Sequence, residues 1–126
     1  MNKPIQISDA ESQVMEVLWS GSPRTAEDVV AALSDQQAWQ VATIKTLLNR
    51  LLKKGAVRAA KDGRRFLYSP LLTRDQWLVT ESGGMVQRLF GGRIAPMVAH
   101  FGRHGKLSAD DLEDLKRLVK ELSDGK

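Results

Sequence analysis

The sequence predicts a mainly α-helical chain carrying one small β-hairpin, and two observations decide it. Apolar residues recur at helical spacing through most of the 126 residues, and the period changes from 3.6 to 2 once, directly after Gly55. At this length the chain fits one compact domain, or one small domain with a helical appendage.

The first helix is predicted to begin at Ser8, because Ser8-Asp9-Ala10-Glu11 has the Ser-x-x-Glu spacing of a capping box and places acids at the positive end of the helix dipole. Val14, Met15, Leu18 and Trp19 follow at core spacing, and Gly21 is a natural stop. After the linker Ser20-Gly21-Ser22-Pro23-Arg24, Thr25 can cap a short second helix that turns Val29, Val30 and Leu33 inward. The polar break Ser34 to Ala38 leads to a third helix, from about Gln40 to Lys54. At 100° per residue its Ile44, Leu47, Leu48 and Leu51 share one face, flanked by Val41 and Leu52. Ala42, Lys45, Thr46, Asn49 and Lys53 take the opposite face, with Thr43 and Arg50 on the flanks. Then Ala56 to Ala60 and Arg65 to Ser69 read as two strands, joined by Asp62-Gly63 as a two-residue type I′ turn with Lys61, Arg64 and Arg65 at the tip. Helix, helix, basic helix and basic hairpin in that order describe a winged helix-turn-helix, assigned to residues 1–72.

Residues 73–126 are expected to be helical. Thr73 caps a segment through Trp77, Leu78, Met85, Val86, Leu89 and Phe90, and Gly91-Gly92 separates it from a short helix with Ile94, Met97, Val98 and Phe101. A last helix starts at Ser108 with an acidic first turn and carries Leu112, Leu115, Leu118, Val119 and Leu122. So short a segment cannot bury that many large side chains alone. Either a second copy covers them or the chain's own winged helix does. Gly83-Gly84 predicts a bend or local fraying, as a hinge or as a plain packing kink.

The net charge of +4 is unevenly spread. Met1 to Trp39 sums to −4 (two bases against six acids), Gln40 to Ser69 to +7 (eight bases against Asp62 alone), and the remainder to +1 (nine bases against eight acids). No carboxylate lies between Gln40 and Lys61, so the Glu–Lys interleaving of an ordinary solvated helix is absent there. A cationic island of this kind is the footprint of a polyanion partner, the alternative being a merely solvated face. Asn49, Arg50 and Lys53 on the helix and Lys61, Arg64 and Arg65 on the hairpin are the candidate phosphate contacts. An enzyme is not expected: there is no cysteine, no Gly-rich phosphate loop and no nucleophile with a credible base, and no cofactor or metal is implied. His100 and His104 are four apart but lack the carboxylate of a His-Glu-x-x-His helix, and read as surface histidines. No apolar run approaches the roughly 20 residues of a membrane span. The start, Met1 to Ile7, lacks the apolar stretch of a secretory signal, so a cytoplasmic location is expected.

Four blocks also carry a resemblance: Ala10-Glu11-Ser12-Gln13-Val14-Met15-Glu16-Val17-Leu18-Trp19, Thr43-Ile44-Lys45-Thr46-Leu47-Leu48-Asn49-Arg50-Leu51, Lys54-Gly55, and Phe66-Leu67-Tyr68-Ser69-Pro70. Together they resemble the BlaI/MecI penicillinase-repressor family over nearly the whole chain. The resemblance implies a dimeric bacterial repressor of antibiotic-resistance genes that binds inverted-repeat operators in double-stranded DNA. It assigns base contacts to Thr43, Lys45 and Thr46; the preceding position, often Lys in the family, is Ala42 here. It makes residues 73–126 a helical dimerisation region, with Trp77, Leu89, Phe90, Met97, Phe101, Leu112, Leu115, Val119 and Leu122 as candidate contacts. It also implies release through a membrane sensor metalloprotease that leads to cleavage of an Asn-Phe bond, which aligns with His100-Phe101. Copper-responsive relatives sense metal with C-terminal cysteines, which this chain lacks. The competing reading is a winged-helix module that binds protein or RNA without operator preference.

Overall fold

The computed structural model describes residues 4–125; Met1, Asn2 and Lys3 of the stretch read as no secretory signal, and Lys126, lie outside the described residues. The elements run α1 (Asp9–Ser20), α2 (Ala26–Leu33), α3 (Val41–Lys54), β1 (Val57–Asp62), β2 (Arg65–Pro70), α4 (Arg74–Phe90), α5 (Ile94–Arg103) and α6 (Ala109–Asp124). The winged-helix order expected from the sequence is therefore present. The chain divides into two compact units, Met1–Glu81 and Ser82–Lys126.

In the first unit α1, α2 and α3 enclose a core in which Val14, Met15, Leu18, Val29, Ile44, Leu48 and Leu51 are all at most 1% exposed. Capping fixes where the helices begin. Ser8 and Glu11 exchange hydrogen bonds as a capping box on α1, and Thr25 and Asp28 do the same on α2. α3 ends in a Schellman motif: Gly55 at φ 79° sends its N–H to Leu52 O, and Ala56 N–H reaches Leu51 O. Leu51 and Ala56, the apolar pair of that motif, are both buried. The chain therefore leaves the third helix straight into β1.

β1 and β2 pair antiparallel from Val57↔Pro70 to Asp62↔Arg65. Asp62 is thus the last paired residue, and the loop is Gly63-Arg64 rather than the expected Asp62-Gly63. Gly63 has φ 66° and no non-glycine residue among those described has positive φ, so the loop follows the type II′ pattern instead of I′. The reason is steric: a I′ turn needs positive φ at both central positions, and Arg64 has a Cβ. A single bridge, Arg24↔Tyr68, ties the hairpin base to the α1–α2 linker through Arg24 N–H to Tyr68 O at 3.1 Å and Tyr68 N–H to Arg24 O at 2.8 Å.

The first unit reaches past the expected boundary at Leu72 into α4. Trp77 packs on Trp19 with ring centroids 5.4 Å apart, Trp19 Nε1 donates to Leu72 O at 2.8 Å, and Arg74 binds Glu16 at 2.8 Å while lying over the Trp77 ring. Trp77, a candidate dimer contact from the sequence, is thereby part of the packing of its own head. Gly83 and Gly84 sit inside an unbroken α4, so the expected fraying is not found. Two glycine penalties of about 1 kcal/mol are less than the loss of the backbone bonds that opening the helix would break.

The second unit is thinly packed. Val86 is its one buried residue among those described. Phe90, Met97, Phe101 and Leu115 are half-buried, whereas Leu89, Ile94, Leu112, Leu118, Val119 and Leu122 are 48–69% exposed. Ser108 and Asp111 form the capping box of α6, and Pro96 falls in the first turn of α5, where its missing N–H costs no helical bond.

Candidate nucleic-acid interface

The apolar stripe of α3 fixes what its other side presents. With Ile44, Leu47, Leu48 and Leu51 in the core, Ala42, Thr43, Lys45, Thr46, Asn49, Arg50 and Lys53 are all exposed. The hairpin adds exposed Lys61, Arg64 and Arg65. Among the described residues Thr43, Lys45, Asn49, Arg50, Lys53, Lys61 and Arg64 form no side-chain hydrogen bond or ion pair, so their donors are available to a partner. Arg65 is the exception, 3.2 Å from Asp62 Oδ2 in an exposed pair of the sort that contributes little. Thr46 is also partly committed: its hydroxyl donates to Ala42 O at 3.0 Å, which leaves the oxygen able to accept.

The start of α3 differs from those of α1, α2 and α6. Gln40 makes no side-chain cap and the first turn carries no acid, so the first amide groups and the positive dipole end keep no protein counter-charge. The far end is anchored instead. Glu11, 2% exposed, accepts from Ser8 N–H at 2.8 Å and from the Lys54 ammonium, joining the first turn of α1 to the last turn of α3. Burial works to raise the Glu11 pKa, but the Lys54 hydrogen bond, the Ser8 N–H and the Lys54 charge outweigh it and hold the carboxyl below its ordinary value. The carboxyl of Asp28, at the start of α2, is likewise held down by the Thr25 backbone and hydroxyl, with lesser help from the charges of Arg24 and Arg65.

The structure thus gathers Thr43, Lys45, Thr46, Asn49, Arg50 and Lys53 on one outer surface of α3 and puts Lys61, Arg64 and Arg65 at the hairpin end. Sequence reasoning missed the Glu11–Lys54 pair, whose partners are far apart in sequence, and the reciprocal Thr25–Asp28 cap, whose Thr-x-x-Asp spacing was readable. It also did not single out Phe66, whose exposure depends on how far the hairpin stands from the core. His104 Nδ1 lies 2.8 Å from His100 O, and no group of three metal-ligating side chains occurs among the described residues. No helix there is long and apolar enough to cross a membrane.

The sequence model of the penicillinase repressor family matches residues 7–121. The chain belongs to the penicillinase repressor family. That family consists of transcriptional repressors, not enzymes. The penicillinase repressor of Bacillus licheniformis is 36% identical over 121 residues, which are 96% of this chain and 94% of that protein. The methicillin resistance regulatory protein MecI of Staphylococcus aureus strain N315 is 30% identical over 118 residues, covering 94% of this chain and 96% of that one. Among solved structures, monomeric Bacillus licheniformis BlaI in complex with the blaP half-operator is 43% identical with a TM-score of 0.51, over 60% of this chain and 93% of that one. The family match thus covers both the winged helix and most of the C-terminal helices.

Proposed function

We propose that this chain is a cytoplasmic, dimeric transcriptional repressor that reads an inverted-repeat operator, one half-site per winged helix. The observation that carries the reading is the polar and cationic outer surface of α3, which holds no carboxylate and whose Lys45, Asn49, Arg50 and Lys53 side chains are unpaired, together with the bases Lys61, Arg64 and Arg65 of the hairpin end. In this reading α3 lies in the major groove, where Thr43, Lys45 and Thr46 face base edges; Lys is a donor suited to guanine, and a Thr methyl is suited to thymine. Asn49, Arg50 and Lys53 hold phosphates beside it, and Lys61, Arg64 and Arg65 hold them under the wing. The likeness to a repressor solved on a half-operator supports this assignment.

Dimerisation belongs to the second unit. A unit with one buried residue among those described and six large apolar side chains about half or more exposed has not met its core, and a second copy supplies the missing surface. Release by proteolysis at His100-Phe101, through a membrane sensor metalloprotease, completes the scheme. The bond lies inside α5, and a protease acts on extended chain, so cleavage requires this helix to open locally.

The test is a binding titration on an inverted repeat drawn from the promoter of the gene itself, against a random duplex of the same length, from 50 to about 200 mM salt. The expected result is a preference of at least about 10³ for the repeat and a steep fall of affinity with salt. Equal binding to both duplexes, or weak salt dependence, favours an interaction module of the protein- or RNA-binding kind instead.

A further inference from the structure

Between the wing and α3 lies a notch of about 210 Å³, lined by Lys45 of α3, by Glu27 near the start of α2, and by Arg64, Arg65, Phe66 and Tyr68 of the wing. Residues two apart on a strand share a face, so Phe66 and Tyr68 point to the same side of the hairpin. Tyr68 is buried against the core at 7% exposure, while Phe66, one pleat nearer the tip, is 49% exposed. Among the described residues every other Phe, Tyr and Trp ring is buried or half-buried. One phenyl ring therefore stands in water beside three cations, of which Arg65 is paired with Asp62, and beside the Glu27 carboxylate, on the side of the molecule that carries the candidate phosphate contacts. Neither core packing nor solubility accounts for it there.

Resting on the operator-binding reading above, we propose that Phe66 is itself a DNA contact, packing on the deoxyribose of the backbone nucleotide that sits between wing and α3. The strand edge of a duplex alternates two chemistries, phosphate oxygens and the apolar C–H faces of the sugars. The notch offers the matching pair, guanidinium and ammonium groups flanking an aromatic ring. A protein partner would have to strip water from Lys45, Arg64 and Arg65 to reach the ring, whereas on a duplex the two arginines meet phosphates and Lys45 a base edge as the sugar meets the ring. The deoxyribose is common to all sequences, so the contact adds affinity without base preference.

Its signature is distinctive. An apolar contact releases no condensed counterion, so removing it lowers affinity by one factor at every salt concentration, while removing an arginine that holds a phosphate flattens the slope by about 0.9. The experiment measures the full-length protein and its Phe66→Ala, Phe66→Tyr and Arg64→Ala variants on operator and random duplex across a salt series, with thermal melting of each protein. Phe66→Ala is expected to bind both duplexes about 3- to 10-fold more weakly at unchanged salt slope, Phe66→Tyr to bind as wild type, and Arg64→Ala to lose slope. Unchanged affinity in Phe66→Ala, with or without a lowered melting temperature, overturns the proposal and leaves operator binding intact. A Phe66→Ala loss that comes with a flattened slope also overturns it, since the ring would then act by placing the arginines. Wild-type protein that binds no duplex overturns the operator reading itself, and this contact with it.

Discussion

At the scale of single residues, Glu11 does two things that a surface carboxylate cannot. It completes the cap of α1 and it neutralises Lys54 at the end of α3, so the pose of the third helix on the first depends on one buried group. The pKa direction gives a pH test. Because the folded value is depressed, the stabilisation is fully present above the ordinary carboxyl pKa of 4.5 and is lost as pH falls below it through the folded value. Glu11→Gln is expected to cost about 1–2 kcal/mol in urea unfolding at neutral pH. Its stability should then decline less than that of wild type between about pH 6 and 3, and an equal decline would remove the assignment. Lys45 and Arg65 separate in a different measurement. Lys45→Ala should reduce the preference for operator over random duplex by about 1–3 kcal/mol, because a base edge loses its donor. Arg65→Ala should weaken binding to both duplexes alike and flatten the salt slope by about one. Loss of the same size on both duplexes from both changes would contradict this division between base and phosphate contacts.

At the scale of elements, glycines in two settings have opposite expected effects. Gly55 holds φ 79° at the end of α3, and a Cβ there meets nothing within 4 Å, so the penalty of substitution is purely conformational. Gly55→Ala is expected to destabilise by about 1–2 kcal/mol, and Gly55→Asn by less. Gly83 and Gly84 lie within α4, and a Cβ at either also meets nothing within 4 Å. Alanine at both should strengthen α4 by up to about 2 kcal/mol, read as a higher urea midpoint. A lower midpoint would mean that the backbone of a second copy approaches these glycines. What the sequence made legible follows the same local logic. The Ser8 and Ser108 caps, the stripe of α3, its stop at Gly55 and the outward basic set all rest on contacts within a turn or two, and they are where spacing placed them. The turn of the wing was misread by one residue because Asp-Gly and Gly-Arg both suit tight turns, and only the pairing register decides between them. The Glu11–Lys54 pair, the Trp19–Trp77 contact and the exposure of Phe66 were not legible, since each depends on how elements distant in sequence come together.

At the scale of the molecule, the two units carry unequal shares of the packing, and this asymmetry governs the last prediction. The unit Met1–Glu81 has a closed core, whereas the unit Ser82–Lys126 exposes Leu112, Leu118, Val119 and Leu122 along α6. If a second copy covers that stripe, charge placed on it must separate the subunits without unfolding the heads, whose core residues it does not touch. Leu118→Asp combined with Leu122→Asp is therefore expected to shift the protein from dimer to monomer in sedimentation velocity at micromolar concentration. The far-ultraviolet signal of the winged helix should persist, and affinity for an isolated half-site should stay near that of wild type. Affinity for the full inverted repeat should fall much further, by about 10²- to 10⁴-fold, because the second head no longer binds at the high effective concentration that linkage provides. A two-fold protein gains this advantage only when its heads meet half-sites a whole turn apart, so adding about five base pairs between the half-sites should reproduce the loss in the unmutated protein by placing them on opposite faces of the duplex. A double variant that remains dimeric, or a wild-type protein indifferent to the spacer, would locate the subunit contact somewhere other than α6.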